Sequence, residues 1–178
     1  MPKVAMQTEY FLPLHHGAAV LEAVSDIAQQ WPAWPTAEGF DALHEGIQVF
    51  HCEVRVIKQD WKAGSNSSGL NPFADRDSLS IHFTWGDWQH KSEICKMIQQ
   101  LEHVLKPFGA RPHFGKLNFF NSSDIEMAYP DGAVSQFRAL CERHDPNSKF
   151  ENELVRRQLR EVVSHGHGDQ TNVQQMYL

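Results

Sequence analysis

Two segments of the sequence alternate in a way that collects polar side chains on one side of a strand. Glu53 and Arg55 are two residues apart within segment 47–58, so in a strand both point the same way, about 7 Å apart. Segment 79–85, Leu-Ser-Ile-His-Phe-Thr-Trp, alternates in the same manner, and its polar side is formed by Ser80, His82 and Thr84. A carboxylate, a guanidinium, an imidazole and hydroxyls on one face suit hydrogen bonding to a polyhydroxylated ligand. The wet side of an antiparallel sheet would give the same pattern, so both interpretations stay open.

A third stretch, 109–120, places Arg111, His113 and Lys116 within six residues that also contain Pro112 and Gly115 and that follow shortly after Gly109. Basic side chains held on a stiff segment usually face an anionic or electron-rich group. The alternative is a helix that ends at Gly109 and is followed by an exposed basic turn. The residues alone leave both possibilities open.

Composition limits the function classes. The chain has 178 residues, which suits one domain with one core, and its net charge of -6 argues against nucleic-acid binding. No apolar run is long enough to span a bilayer. The three cysteines, Cys52, Cys95 and Cys141, are far apart, which favours free thiols and a cytoplasmic protein. The eleven histidines lack the spacing of a zinc motif, so we expect no metal site.

Periodicity predicts an α+β domain with an antiparallel or mixed sheet and helices packed mainly on one face. The predicted strands are 5–12, 47–58 and 79–85, with an extended segment up to 120, and the predicted helices are 17–30, 89–106, 122–129, 133–143 and 152–163. A long loop covers 59–78. We expect the domain to cover residues 1–163 and a flexible polar tail to cover 164–178.

The alternation also predicts which side chains face the helices. They are Cys52, Val54 and Val56 on one strand and Leu79, Ile81, Phe83 and Trp85 on the other. The polar residues named above would then lie on the opposite face of the sheet.

Four stretches in the same order carry a resemblance to a known family. They are His-Cys-Glu-Val-Arg at 51–55, Asp-Ser-Leu-Ser-Ile-His-Phe-Thr-Trp at 77–85, Pro-Phe-Gly-Ala-Arg-Pro-His-Phe-Gly-Lys at 107–116 and Asp-Pro-Asn-Ser-Lys-Phe-Glu-Asn at 145–152. With Glu-Tyr-Phe-Leu-Pro at 9–13, they resemble the C-terminal substrate domain of sugar-lactone and alditol oxidases, FAD-linked enzymes of the vanillyl-alcohol-oxidase type. The resemblance covers about residues 5–160.

The resemblance implies a function for individual residues. In the family this domain covers the isoalloxazine ring of FAD and binds a polyol or sugar lactone, whose carbinol gives a hydride to flavin with oxygen as acceptor. Glu53 and Arg55 match the pair that contacts substrate hydroxyls, and Thr84 matches a threonine of the substrate site. Lys116 matches a lysine near the reacting carbon and the flavin, so Lys116 and Arg55 are the expected catalytic residues and Lys116 the expected cofactor contact. His113 is expected to support substrate binding.

The family's FAD-binding domain has no counterpart in this sequence. Three accounts follow. The chain is part of an oxidase whose FAD-binding half is a separate polypeptide, and is inactive alone; or it is a stand-alone sugar-binding or polyol-binding module; or it is a scaffold that forms oligomers such as a homodimer. None of them involves nucleic acid or a transmembrane segment.

Overall fold

The computed structural model describes residues 6–31, 49–60, 70–86, 91–130 and 132–160. The chain divides into two compact units, Met1–Phe119 and Phe120–Leu178. The sheet belongs to the first unit and the last three helices to the second. The expected domain boundary at 163 and the polar tail 164–178 lie outside the described residues and stay predictions.

Within the described residues, the first unit consists of a four-stranded antiparallel sheet and two α-helices, in agreement with the predicted α+β class. Its elements are β1 (Met6–Pro13), α1 (Gly17–Ala28), β2 (Val49–Ile57), β3 (Ser78–Trp85), α2 (Lys91–Leu105) and β4 (Arg111–Pro112), with short 3-10 turns at Leu14–His16 and Lys106–Phe108. The strand order is β2-β3-β1-β4. The predicted extended segment up to 120 contains only the two-residue strand β4, which is paired with Tyr10 and Phe11 of β1.

The strand register sets which side chains share a face. Glu9 on β1 lies opposite His82 on β3, which in turn lies opposite Glu53 on β2. Two neighbouring rows lie on the same face. One row contains Phe11, Ser80 and Arg55, and the other contains Gln7, Thr84 and His51. The prediction that Glu53, Arg55, His82 and Thr84 share a face is therefore confirmed.

Helices cover the other face of β1 and β3. The Tyr10 hydroxyl donates to the Glu102 carboxylate of α2 at 2.7 Å, and Gly17 of α1 lies against the Leu79 side chain. Each helix presents an apolar stripe at helical spacing; the buried residues are Gly17, Val20, Val24 and Ala28 on α1 and Ile94, Cys95, Met97, Ile98, Leu101, Glu102 and Leu105 on α2. A φ of +71° at Gly109, which favours glycine, ends the turn after α2.

The prediction that helices cover Cys52, Val54 and Val56 is wrong, because all three side chains are exposed. Val54 is 45% exposed, Val56 is 68% exposed and Cys52 is also exposed. By contrast, Ile81, opposite Val54 on β3, is fully buried. Alternation identifies the face correctly, but β2 lies at the end of the described sheet, where the described helices leave this side of it exposed.

The second unit contains α3 (Ser122–Ala128), α4 (Ala133–His144) and α5 (Glu153–Leu159), and α3 contacts both of the others. A capping box between Asn121 and Asp124 begins α3, and the Asn152 side chain caps α5. The predicted end of the last helix at 163 lies outside the described residues. Asp145 accepts the backbone N–H groups of Lys149 and Phe150, so it organises the turn between α4 and α5.

No helix in the described ranges has both the length and the hydropathy needed to cross a bilayer.

Two matched substitutions test the position of the helix layer. Val20 is fully buried on α1, whereas Val56 is 68% exposed on β2. Threonine has nearly the shape of valine but adds a hydroxyl, which costs about 1–3 kcal/mol when it is buried without a full partner. Val20→Thr should lower the free energy of unfolding by that amount, and Val56→Thr should change it by less than about 0.5 kcal/mol. Urea denaturation measures both; an equal loss in the two variants would contradict this packing.

Candidate functional site

The buried carboxylate of Glu9 is the centre of the polar face. Its Oε1 atom accepts hydrogen bonds from Arg55 Nη2 at 2.8 Å and from Ser80 Oγ at 2.7 Å. Its Oε2 atom accepts one from Lys116 Nζ at 2.6 Å. Glu9 is only 5% exposed, whereas the side chains of Lys116 and Arg55 are 19% and 46% exposed. One acid in the middle of the sheet therefore joins β2, β3 and the segment after β4.

The surroundings of Glu9 determine its protonation state. Burial alone would raise the pKa of this carboxyl group, but hydrogen bonds from Lys116 and Ser80 and the charges of Lys116 and Arg55 outweigh burial, so the pKa lies below its ordinary value of 4.5. Glu9 is consequently ionised at neutral pH and forms charge-assisted hydrogen bonds with both cations.

A second pair lies beside Glu9 in the same row. His82 Nδ1 is 3.5 Å from Glu53 Oε2, and Glu53 Oε1 is 3.6 Å from Arg55 Nε. Burial and the charge of Lys116 lower the pKa of His82 below 6.5, although the carboxylates of Glu53 and Glu9 oppose this shift. His82 is therefore a neutral imidazole at pH 7. In the part of the chain that the structure describes, no hydrogen-bond partner lies beside its buried Nε2 atom.

Lys116 reaches Glu9 from a tight turn rather than from a strand. The His113 N–H donates to the Glu9 backbone carbonyl at 2.9 Å, and the His113 carbonyl accepts the Lys116 N–H at 3.0 Å. The Gly115 N–H donates to His113 Nδ1 at 3.0 Å, so that nitrogen carries no proton. A Cβ atom on residue 115 would lie 3.1 Å from the His113 ring, so glycine suits this position.

Arg111 supports this segment from below. It is 2% exposed, and its guanidinium group binds the Asp75 carboxylate with two hydrogen bonds of 2.6 and 3.0 Å and the Pro72 carbonyl with a third of 3.1 Å. The hydrogen bond from Arg111 and its charge hold the pKa of Asp75 below its ordinary value, although burial acts against them. Arg111 thus buttresses the segment that carries Lys116.

An open cavity of about 520 Å³ lies above the network. Its charged lining consists of Glu9, Arg55 and Lys116. The rest of the described lining is mainly apolar or backbone: Phe11, Ile57, Pro72, Phe73, Pro112, His113, Phe114 and Gly115. Phe11 and Phe73 meet edge to face, with ring centroids 4.6 Å apart. An apolar wall with a few converging charged groups is typical of a small-ligand pocket.

The predicted site residues do not all reach this cavity. Arg55, His113 and Lys116 line it together. Glu53 is absent from the lining but contacts Arg55 and His82 beside it. Thr84 is also absent from the lining and lies one row further along β3, between Gln7 and His51.

Sequence reasoning missed Glu9. The segment around Glu9 was a predicted strand and part of the family resemblance, but Glu9 received no role because Thr8, Tyr10 and Phe11 hide any alternation. The available signal was a lone carboxylate in a predicted strand, followed directly by the bulky apolar residues Tyr-Phe-Leu at 10–12. A charge in such a position is rarely buried without a partner. Ser80 donates a further hydrogen bond to Glu9. The strand pattern placed Ser80 on the correct face but gave it no role.

The family model for D-arabinono-1,4-lactone oxidase matches residues 4–158, which include the whole network and cavity. The chain belongs to the D-arabinono-1,4-lactone oxidase family. This confirms the family named from the four sequence stretches.

Curated relatives of the family match over most of this chain. An alditol oxidase from Streptomyces sp. (strain IKD472 / FERM P-14339) is 30% identical over 151 residues, 85% of this chain and 31% of that protein. An L-gulono-1,4-lactone dehydrogenase from Mycobacterium tuberculosis is 24% identical over 155 residues, 86% of this chain and 30% of that protein. The chain therefore spans about a third of the length of these relatives.

The lowered pKa of Glu9 predicts a pH-dependent stability in this family member. A carboxyl group whose pKa is lower in the folded state stabilises the fold fully above its unfolded pKa, and this contribution is lost as the pH falls through the folded value. Glu9→Gln should lower the free energy of unfolding by about 1–2 kcal/mol at pH 7, because two partly exposed cations lose their partner. The difference in the free energy of unfolding between Glu9→Gln and wild type should become smaller below pH 4.5, where Glu9 becomes protonated.

Denaturant unfolding over a pH series measures this difference. Glu22→Gln is the control, because it removes an exposed carboxyl group from α1. Its free energy of unfolding should depend on pH in the same way as that of the wild type. A difference for Glu9→Gln that is the same at pH 7 and pH 3.5 would show that the ionised carboxylate does not stabilise the network.

The two neighbours of His82 should move its pKa in opposite directions. Glu53 raises the pKa of His82 and Lys116 lowers it. Glu53→Gln should therefore lower the His82 pKa further below 6.5, and Lys116→Gln should raise it. NMR titration of the imidazole measures both shifts, and movement in the same direction in the two variants would refute this electrostatic arrangement.

Proposed function

We propose that this chain is the substrate-binding domain of an FAD-dependent alditol or sugar-lactone oxidase, with the flavin held mainly by a domain other than the residues described here. The observation that carries the proposal is the cavity whose floor is the Glu9, Arg55 and Lys116 network. Family membership and the alditol oxidase relative support the same assignment.

The lining of the cavity suits a polyol or a sugar lactone. A volume of about 520 Å³ falls within the range of small-ligand pockets. The side chain of Arg55 is 46% exposed, so its remaining N–H groups are accessible to ligand oxygens. Phe11 and Phe73 provide an apolar surface for the C–H groups of a carbon chain. Such a site binds hydroxyls on one side of a ligand and its carbon skeleton on the other.

The donor set also fits the electron-rich part of a flavin ring. Lys116 and Arg55 are both cations, both line the cavity and both are fixed by Glu9, so they can face a group that gains negative charge. Lys116 would be the residue that contacts the ring. The chemistry that a bound flavin would supply is acceptance of a hydride from the carbinol carbon, with oxygen as the final acceptor.

The residues of this chain orient the substrate for that reaction. Arg55 and Lys116 would donate to the oxygen of the reacting hydroxyl and stabilise the negative charge that develops there as its proton passes to solvent through the open side of the cavity. Glu53, beside Arg55, and Thr84, one row further along β3, lie outside the cavity lining, so they would contact the part of a substrate that extends beyond the cavity. His113 holds the turn that presents Lys116.

Direct binding of a polyol tests this function. Titration calorimetry of the chain with xylitol should give binding, and Arg55→Gln should weaken it about tenfold or more, the effect of losing a hydrogen bond to a charged group. Lys58→Gln removes a cation that pairs with Asp77 outside the cavity, so it should leave the affinity unchanged. Equal affinity in Arg55→Gln and wild type would refute the proposed site.

Turnover distinguishes the oxidase from a pure binding module. Peroxide should form from xylitol when FAD and an FAD-binding polypeptide of the family are added, and not from this chain and FAD alone. Polyol binding that is never followed by peroxide formation would favour the stand-alone binding module instead.

A further inference from the structure

We propose that Glu9 makes this site selective for uncharged polyols and lactones by cancelling its cations, so that sugar acids and sugar phosphates are excluded. This inference rests on the proposed function and adds the residue that decides between neutral and anionic ligands. Without a carboxylate at this position, Arg55 and Lys116 on the cavity wall would form an anion site.

The charges of the network are balanced. Its cations are Arg55 and Lys116, and its carboxylates are Glu9 and Glu53. His113 accepts a hydrogen bond at Nδ1, which makes that nitrogen unprotonated. His82 is neutral at pH 7, because burial and the charge of Lys116 lower its pKa below 6.5. The ion pair below the site, between Arg111 and Asp75, is balanced as well.

The positions of the two carboxylates give Glu9 the larger effect. Glu9 lies within 2.8 Å of both cations, whereas Glu53 is 3.6 Å from Arg55 and 40% exposed to solvent, which screens its charge. Glu9 also lines the cavity, so an anionic ligand bound to Arg55 or Lys116 would lie close to a second negative charge. A negative charge brought close to the buried carboxylate of Glu9 would be repelled by it, which weakens the binding of an anionic ligand.

A matched pair of ligands tests the inference. Xylitol and xylonate have the same carbon number and the same stereochemistry at the shared centres, but xylonate carries a carboxylate at one end. The wild-type chain should bind xylitol more tightly than xylonate. In Glu9→Gln the ratio of the xylonate Kd to the xylitol Kd should fall at least about tenfold, and this change should shrink as salt is added.

Ser80→Ala is the matched control. It removes a 2.7 Å hydrogen bond to Glu9 but leaves the charge of the site unchanged. The ratio of the two Kd values should stay within about twofold of wild type. An equal change in Ser80→Ala and Glu9→Gln would mean that Glu9 acts through the shape of the site rather than through its charge, and this would overturn the inference.

The reciprocal variant keeps the inference testable if Glu9→Gln does not fold. Lys116→Gln leaves the two carboxylates with one cation, so the site should favour the cationic ligand 1-amino-1-deoxyxylitol. The ratio of the xylitol Kd to the 1-amino-1-deoxyxylitol Kd should rise at least about tenfold relative to wild type. No shift in preference in either variant, while wild type binds xylitol, overturns this inference alone. Failure of wild type to bind xylitol overturns the proposed function and this inference with it.

Discussion

An ionised carboxylate can remain inside a protein only if donors replace the water that it loses. Glu9 meets this condition with a guanidinium, an ammonium and a hydroxyl, each from a different part of the first unit. The three donors also need Glu9, since it fixes two long and otherwise mobile side chains at the wall of the cavity. The position of β2 relative to β3, and of the turn at 113–116 relative to β1, is therefore linked to a single side chain.

The sheet separates two kinds of interaction that would weaken each other if mixed. On one face, Tyr10 and Leu79 pack against helices in an apolar layer. On the other face, Glu9 and its partners form a polar layer that opens into the cavity. Because successive residues of a strand point to opposite faces, Glu9 and Tyr10 can be neighbours in sequence and still belong to different layers. Membership of the oxidase family fits a fold that presents polar groups on a rigid support.

The sequence predicted the α+β class and the shared face of Glu53, Arg55, His82 and Thr84, because a period of two is visible wherever one face is polar. It could not show that Val54 and Val56 are exposed, since alternation defines two faces without telling which strands the helices cover. It gave no route to the contact between Lys116 and Glu9, because an irregular turn and 107 positions of chain separate them. Glu9 itself was hidden because the residues around it are buried on both faces of the sheet.

The place of β2 at the end of the described sheet gives the two walls of the cavity different local stabilities. Glu9 is on β1, which has a strand on each side, whereas Arg55 is on β2, which is paired only with β3 in the ranges that the structure describes. Opening β2 breaks one ladder of hydrogen bonds and leaves the helix-covered strands intact, so it costs less free energy than opening β1. The backbone that carries Arg55 should therefore open more readily than the backbone that carries Glu9, although the two side chains are joined by a hydrogen bond.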